Sequence, residues 1–409
     1  MNYLLLSTTD SGGAGIALLK TIEFLRGKGH NARLVVLNKY TQSDSCIGLY
    51  DNNCLLGKWA ILLKKIYAKL KKKILVGTPA DKYCYYNIGL NRASADKLLK
   101  LYGEKPDIIA VGWVTDFVTP KTVYEMQKRT SAKVMYIMAD VSPITGGCHY
   151  PWDCKGYQTN CFPCPALKEN NKTAYRTLLQ NKKYITPEMM ISGTTYDTNR
   201  AKKSLLFHNS VIVPSVTIRN NPFSFSKDEG RTRFGIVNED YVILCGAASI
   251  ASERKGFAYL IKSLEILKNK IGDVSHITII VAGDDCSAFP QGYNLKTVGK
   301  LSFEDLFKAY SASDLFVCPS LEDSGPMMIN YGVMAYIPVV AFEMGVALDV
   351  IIHKENGYIA KWGDAEDFAE GILFCMKKKY NKEDLKEFND NLCIRLNNER
   401  SRLKYLGLI

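Results

Sequence analysis

The stretch "YVILCGAASIASERKGFAYLIKSLEILKNK", Tyr241 to Lys270, decides the fold class. Its first part is an apolar run that predicts a buried strand, its last part has helical periodicity, and the loop "IASERKG" joins them. The pattern continues as strand "HITIIVAGDD", helix "FEDLFKAYSASD", strand "LFVCPS", loop "LEDSGP", helix "MMINYGVMAY" and strand "IPVVAF". Strictly alternating strands and helices with unbroken apolar strands predict an α/β fold with a parallel, doubly wound sheet.

The first half of the chain repeats this pattern. Strand "YLLLST" is followed by the loop "TDSGGAG" (Thr9 to Gly15), the helical segment "IALLKTIEFLRGKG" and strand "ARLVVLN". Gly12, Gly13 and Gly15 would let the backbone approach a ligand, and a helix N-terminus there favours a phosphate or a sugar hydroxyl. The loop lacks the full dinucleotide fingerprint, and the alternative explanation is a tight strand-to-helix turn.

A chain of 409 residues predicts two domains. We expect an N-terminal Rossmann-like domain over residues 1–205 and a second over 206–390, with a helix at 391–409 packing back on the first. Two such sheets imply a cleft between the domains, with ligand contacts at the carboxyl ends of the strands.

The composition, 47% hydrophobic and 23% charged, is that of a globular protein outside the membrane. The start "MNYLLLSTTDSGG" lacks the basic region of a signal peptide. The uncharged stretch from Gly325 to Phe342 has the length of a marginal membrane span, but its Asn330, Gly332 and Pro338 favour a buried helix followed by a strand. We therefore expect a cytoplasmic protein.

The formal net charge of +12 indicates an anionic partner. It is concentrated in "KWAILLKKIYAKLKKKILVG", Lys58 to Gly77, where apolar residues recur at helical spacing. Such a helix could lie on an anionic membrane surface or could pack its apolar face on its own domain. Nucleic acid is disfavoured because no recognition motif accompanies the charge.

Four of the twelve cysteines cluster in "TGGCHYPWDCKGYQTNCFPCP", Thr145 to Pro165. The spacing is C-x5-C-x6-C-x2-C, through Cys148, Cys154, Cys161 and Cys164. The final C-x2-C is typical of a metal knuckle, so a structural zinc site is one interpretation and four reduced thiols in a proline-held loop is the other. Disulfides are disfavoured in the cytoplasm. We expect the remaining cysteines to be small core residues.

Charged side chains follow the predicted strands of the second half. Arg254 and Lys255 precede a helix N-terminus, a combination that can hold a diphosphate group. Glu322 and Asp323 follow another buried strand and could accept hydrogen bonds from sugar or ribose hydroxyls. Each pair could also be an ordinary solvated pair on a surface loop.

Together these motifs resemble a known family. The series "GAASIASERKGFAYLIKSLEIL", "GKLSFEDLFKAYSASDLFVCPSLEDSGP", "PVVAFEMG" and "ENGYIAKWGDAEDFAEGI" is similar to the donor half of retaining family 4 glycosyltransferases, which have the GT-B fold. The loop "TTDSGGAG" resembles the acceptor-side glycine loop of that family. The cysteine stretch resembles a segment of a bacterial surface-polysaccharide branch, in which a "HD" pair precedes "TGGCHY".

The resemblance implies transfer of a sugar, with retention, from a nucleotide diphosphate sugar to an acceptor hydroxyl, without a catalytic metal. Lys255 would hold the diphosphate, with Arg254 sharing that role, and Glu322 would face the donor sugar. Gly12 and Gly13 match the glycine loop near donor and acceptor.

Three positions depart from the family pattern. Gly246 is followed by Ala247 where arginine is frequent, and the second glutamate of the paired motif is replaced by Asn330, or by Tyr331 if the register slips by one. The "HD" pair reads Ala139-Asp140. Asp140 is then a candidate to position or deprotonate the acceptor, and His149 is another because a free histidine titrates near neutrality.

We therefore expect a glycosyltransferase of surface-polysaccharide assembly with a lipid-linked or oligosaccharide acceptor, working at the inner face of the cell membrane. The departures keep two rivals open. One is an inactive GT-B module that binds sugar or nucleotide, and the other is a GT-B sugar-nucleotide 2-epimerase.

Overall fold

A computed structural model gives the structure of the protein. It describes residues 1–51, 59, 62–63, 66, 80–86, 92–214, 224–237, 239–247, 249–284, 289–378 and 380–398. The chain divides into two compact units. The first contains Met1–Gly193 and Asp197–Pro214, and the second contains Thr194–Tyr196 and the chain from Ser215 to Ser401.

The first unit is built on a parallel sheet of seven strands in the order β3-β2-β1-β4-β5-β6-β7. The strands are β1 (Asn2–Thr9), β2 (Asn31–Lys39), β3 (Cys46–Asp51), β4 (Ile108–Val111), β5 (Lys133–Ile137), β6 (Met190–Gly193) and β7 (Val211–Pro214). The helices with described bounds are α1 (Gly12–Gly27), α2 (Ala80–Tyr83), α3 (Ala95–Tyr102), α4 (Pro120–Thr130), α5 (Thr173–Lys182) and α6 (Thr195–Lys202), the last of which crosses the division between the units.

Both faces of this sheet are buried. Leu4 and Leu6 of β1 belong to one apolar cluster, whereas Tyr3 and Leu5 belong to another. Side chains alternate between the two faces of a strand, so clusters on both faces require helices on both sides of the sheet. The strands are apolar along their whole length because both faces of the sheet are buried.

The second unit contains a parallel sheet of six strands in the order β10-β9-β8-β11-β12-β13. The strands are β8 (Tyr241–Ala247), β9 (Ile277–Gly283), β10 (Asn294–Gly299), β11 (Leu315–Cys318), β12 (Val339–Phe342) and β13 (Gly357–Ala360). The helices are α7 (Lys227–Phe234), α8 (Phe257–Ile271), α9 (Phe303–Ala312), α10 (Met327–Met334), α11 (Ala347–Val350), α12 (Ala365–Lys378) and α13 (Lys382–Asn398).

The prediction of two parallel, doubly wound sheets is confirmed. In each sheet the strand order reverses direction once, between β1 and β4 and between β8 and β11. The loops that leave the two strands at such a reversal diverge, and ligands of open α/β sheets bind at the crevice that this creates. The stretch from Gly325 to Phe342 is a helix and a buried strand, α10 and β12, as its composition predicted.

The predicted domain boundary between residues 205 and 206 is wrong. Val211–Pro214 pairs with β6 as the last strand of the first sheet, so the division falls after Pro214. The predicted packing of residues 391–409 on the first domain fails for its described part. Residues 391–398 belong to α13, and Cys393 and Leu396 pack on the apolar core of the second unit. Residues 399–409 lie outside the described residues.

The predicted basic helix at 58–77 also lies largely outside the described residues. Its Trp59, Leu62, Leu63 and Ile66 are described, are helical and are between 46% and 63% exposed. Among the described helices, none is long and apolar enough to cross a membrane. Of the scattered cysteines, Cys46, Cys245, Cys318 and Cys375 are buried, Cys84 and Cys393 are half-buried, and Cys54 and Cys286 are not described.

Candidate active site

The loop between β8 and α8 approaches the loop after β11 through one glycine. Gly256 has φ of +68°, and a Cβ at this position would lie 1.8 Å from the carbonyl oxygen of Pro319. Only glycine tolerates both the backbone conformation and the contact. The backbone N–H of Leu321 also donates to the Arg254 carbonyl over 2.8 Å. The two loops are therefore in direct contact, which brings their charged side chains close together.

Arg254, Lys255 and Asp323 form an ion-pair cluster at this point. Asp323 Oδ2 accepts from Arg254 Nη1 at 2.8 Å and from Lys255 Nζ at 2.6 Å. Burial alone would raise the pKa of Asp323, but the charges of Lys255 and Arg254 outweigh it and hold that pKa below its usual value. Asp323 was predicted as a ligand of sugar or ribose hydroxyls, and in the structure it is the counter-ion of the two cations.

Glu322 lies in the loop after β11, and Asn330 follows that loop. Both side chains are buried, with exposed fractions of 2% and 5%. Asn330 is in the first turn of α10, and its Oδ1 has no hydrogen-bond partner among the described residues. A buried acceptor without a partner is costly unless a ligand or water satisfies it. Tyr331 packs its ring on Phe303 and Phe307, with ring centroids 5.5 and 5.4 Å apart. Of the two alternatives for the second glutamate position, Asn330 is the one with an unsatisfied polar atom.

At the carboxyl end of β1, a buried aspartate organises the glycine loop. Asp10 accepts hydrogen bonds from the backbone N–H groups of Tyr40 and Thr41, at 2.8 and 2.9 Å, and from the Thr41 hydroxyl. Burial opposes ionisation, but these hydrogen bonds outweigh it and lower the pKa of Asp10. Asp10 thereby ties the loop to the end of β2.

The glycines of this loop have different roles. A Cβ at Gly15 would lie 2.5 Å from the backbone carbon of Asp10, so this glycine permits close packing of α1 on the strand. Gly12 has φ of +72°, and a Cβ at Gly12 or Gly13 would meet no atom within 4 Å. Gly12 and Gly13 therefore border open space at the N-terminus of α1, where backbone N–H groups favour a negative or hydroxyl oxygen.

Asp140 and His149, two separate candidates in the sequence, are in contact. Asp140 Oδ2 lies 2.5 Å from His149 Nδ1, and Asp140 Oδ1 accepts from the backbone N–H of Ser142 at 2.8 Å. Both side chains are buried. Burial would raise the pKa of Asp140, but His149 and Ser142 outweigh it and lower that pKa. The carboxylate is thus held ionised beside the imidazole.

The ionised carboxylate determines which imidazole nitrogen carries the proton. Nδ1 must donate to Asp140, so the indole N–H of Trp113, 3.3 Å from Nδ1, cannot also donate to that nitrogen. In the neutral imidazole the unprotonated nitrogen is then Nε2, and it lies 3.2 Å from the Thr115 hydroxyl. An aspartate that orients a histidine whose other nitrogen faces a hydroxyl is an arrangement suited to proton transfer.

The cysteine-containing loop begins right after this pair. A Cβ at Gly146 would lie 2.4 Å from the Ala174 carbonyl oxygen, and one at Gly147 would lie 2.8 Å from the Tyr85 ring. The "TGG" glycines therefore let the loop pass between α5 and Tyr85. Cys148, Cys154, Cys161 and Cys164 all line one small pocket beyond them. Burial raises the pKa of Cys161 to about 12.

Sequence reasoning missed three residues that the structure places at these sites: Asp10, Trp113 and Thr115. Each follows an apolar strand, β1 or β4, at the reversal point of the sheet. That position was the available signal, because polar residues directly after the two central strands of a doubly wound sheet lie at the ligand-binding edge.

The second unit matches a known family. Residues 239–378 match the family described as "Glycosyl transferases group 1". A sulfoquinovosyl transferase from Arabidopsis thaliana is 29% identical over 114 residues, which are 26% of this chain and 22% of that protein. The chain thus spans about a fifth of the length of this relative.

Solved structures match over the whole chain. HepE from Anabaena, in complex with UDP and glucose, has a TM-score of 0.59 at 13% identity, with 100% of both chains covered. WaaG, a glycosyltransferase involved in lipopolysaccharide biosynthesis, has a TM-score of 0.54 at 12% identity, with 97% of this chain and 95% of that chain covered. The chain therefore has the GT-B fold, and its residues 239–378 match the family described as glycosyl transferases group 1.

Proposed function

We propose that the protein is a glycosyltransferase that moves a sugar, with retention of configuration, from a nucleotide diphosphate sugar to an acceptor hydroxyl. The observation that carries the proposal is the cluster of Arg254 and Lys255 beside the buried Glu322. It lies at the reversal point of the second sheet, inside the matched domain. Fixed cations next to a buried carboxylate suit a donor whose diphosphate and sugar are adjacent.

The two cations would stabilise the charge that develops on the diphosphate as the glycosidic bond breaks. Asp323 accepts hydrogen bonds from both cations, so a diphosphate that binds them would compete with this carboxylate or lie next to it. Glu322 would accept hydrogen bonds from the sugar hydroxyls. The complex of HepE with UDP and glucose supports a donor of this chemical class.

Asn330 would complete the donor site through its unsatisfied Oδ1. A ribose hydroxyl could donate to this oxygen, although a neutral acceptor binds it more weakly than a carboxylate would. Replacing Asn330 by alanine should then weaken nucleotide binding, whereas Tyr331→Phe should leave it unchanged because it keeps the ring that packs on Phe303 and Phe307.

His149 would act on the acceptor side. With Nδ1 bonded to Asp140, the Nε2 lone pair is available to orient or take the proton of the attacking hydroxyl once the Thr115 hydroxyl turns away. Asp140 is the positioning residue of this pair. In this way His149 would compensate for the alanine that replaces the histidine of the "HD" pair.

We propose surface-polysaccharide assembly at the inner face of the cell membrane as the context. The function of WaaG in lipopolysaccharide biosynthesis and the resemblance of the cysteine stretch support it. The exposed apolar residues Trp59, Leu62, Leu63 and Ile66, within a lysine-rich stretch, would contact anionic lipid. Liposome sedimentation that is unchanged when the lysines of this stretch are replaced by glutamine would contradict the membrane contact.

The first experiment is a thermal-shift screen of nucleotides and nucleotide sugars, followed by a hydrolysis and transfer assay with the stabilising donor. A donor should raise the melting temperature in a concentration-dependent way, and Lys255→Ala should abolish both the shift and turnover. Lys270→Ala, which removes a surface lysine paired with Glu370, is the matched control.

Two other outcomes identify the rivals. Binding without turnover of any donor would indicate an inactive nucleotide-binding module. Conversion of a sugar nucleotide into its epimer, in a reaction that contains no acceptor, would indicate an epimerase. Retention is tested by the anomeric configuration of the product, and an inverted product would overturn that part of the proposal.

A further inference from the structure

We infer that Cys148, Cys154, Cys161 and Cys164 bind one structural zinc ion. The four thiols come from a single loop and line the same pocket, which also has Tyr85, Tyr157 and Pro163 in its wall. Four cysteine sulfurs complete the tetrahedral shell of a structural zinc and leave no open position for water. The site would therefore have no part in the transfer chemistry, and the inference does not depend on the proposed function.

One backbone N–H group points at a sulfur of the cluster. The backbone N–H of Gly156 donates to Cys154 Sγ at 3.4 Å, and this donor is two residues after the cysteine. Donors aimed at the ligands are the usual support of a metal site.

The sulfurs must still move together. Among the described residues, no group of three or more His, Cys, Asp or Glu side chains is already arranged to hold a metal ion. With Zn–S distances of about 2.3 Å, the sulfurs of a tetrahedral site are about 3.8 Å apart. Rotation of cysteine side chains between staggered rotamers moves a sulfur by more than an ångström without backbone change. Zinc would draw the thiols inward and release their protons.

Zinc here would also fix the loop that carries His149. Cys148 pairs with Tyr85 in an antiparallel bridge, and the next residue is His149, whose backbone N–H donates to the Tyr83 carbonyl at 3.2 Å. A metal bond at Cys148 would restrain the imidazole beside Asp140. The zinc would be a distant support of the histidine and not a group that touches substrate.

The test is elemental analysis of the full chain, purified under reducing conditions from zinc-supplemented medium. We expect about one equivalent of zinc per chain, released by a mercurial thiol reagent and detected with a chromogenic indicator. Cys154→Ser and Cys164→Ser should each hold far less zinc and melt at a lower temperature. Cys393→Ser, a half-buried cysteine in α13, is the matched control and should retain the full equivalent.

A second measurement does not depend on the variants being folded. When the bound metal of the wild-type protein is replaced by Co²⁺, with no other metal present, the protein should show the thiolate-to-cobalt charge-transfer absorption of a tetrahedral four-sulfur site. Freshly reduced protein that contains less than a tenth of an equivalent of zinc, and that gives no such absorption with Co²⁺, would overturn the inference. Stoichiometric iron in place of zinc would overturn it as well.

Discussion

Replacing Asp323 by asparagine should tighten the binding of a nucleoside diphosphate, although it removes two ion pairs. In the structure, Asp323 Oδ2 is the acceptor for Arg254 Nη1 at 2.8 Å and for Lys255 Nζ at 2.6 Å. A diphosphate that binds the same two cations has to compete with this carboxylate or to lie next to it. Asparagine keeps the shape and removes the charge.

The expected magnitude follows from Coulomb's law. A phosphate oxygen that shares the cations with Asp323 would be about 4 Å from its carboxylate, and two unit charges at that distance interact by about 4 kcal/mol at an effective dielectric of 20 and by about 1 kcal/mol in water. The side chains of Arg254 and Lys255 are 24% and 17% exposed, so the true value is between these limits. Asp323 also positions the two cations, and the variant loses that contribution. We therefore expect the binding free energy to become more favourable by about 1.4 kcal/mol, which lowers Kd about tenfold.

Isothermal titration calorimetry with UDP and other nucleoside diphosphates measures this change. The difference in Kd between the variant and the wild type should be smaller at high salt, because screening weakens the repulsion that the mutation removes. Glu370→Gln is the matched control, since it breaks a half-exposed surface ion pair with Lys270 and should leave Kd unchanged. Unchanged or weaker binding by a folded Asp323→Asn protein would refute the assignment of Asp323 as a competing counter-ion.

Three further predictions concern the glycine contact and the buried histidine. Gly256→Ala should destabilise the protein by more than about 2 kcal/mol, because its Cβ would lie 1.8 Å from the Pro319 oxygen at a positive φ; an unchanged denaturation midpoint would contradict this. His149→Gln should lower kcat by roughly a hundredfold while the donor Kd stays the same, and equal turnover would exclude a role in proton transfer. Asp140→Asn should cost about 2 kcal/mol of stability at pH 7, because it replaces a buried hydrogen bond to a charged carboxylate by one to a neutral amide. Since the folded-state pKa of Asp140 is lowered, its contribution is present above about pH 4 and is lost as the pH falls through the folded value. A wild-type advantage over this variant that persists undiminished to pH 2 in urea denaturation would contradict that account.

Local pattern in the sequence was sufficient for the fold and for part of the site. Apolar runs and helical periodicity are properties of neighbouring residues, so they predicted both parallel sheets and the helix-strand nature of 325–342. The position of Arg254 and Lys255 after a buried strand, at a helix N-terminus, likewise predicted that these cations lie at the carboxyl edge of the second sheet. The strand order of that sheet confirms this position.

Other features depended on contacts between distant parts of the chain. Asp323 and Lys255 are 68 residues apart in the sequence, and only the order of strands β8 and β11 brings their loops together. From the sequence, Asp140 and His149 were separate candidates for positioning or deprotonating the acceptor. In the structure the loop after β5 folds back, so the two side chains form one hydrogen-bonded pair. The domain boundary was misplaced for the same reason, because β7 is recognisable as part of the first sheet only through its pairing with β6. The sequence by itself therefore determined which residue types follow which strands, and the tertiary structure alone decided which of them meet, since strand order and loop conformation are not encoded in local periodicity.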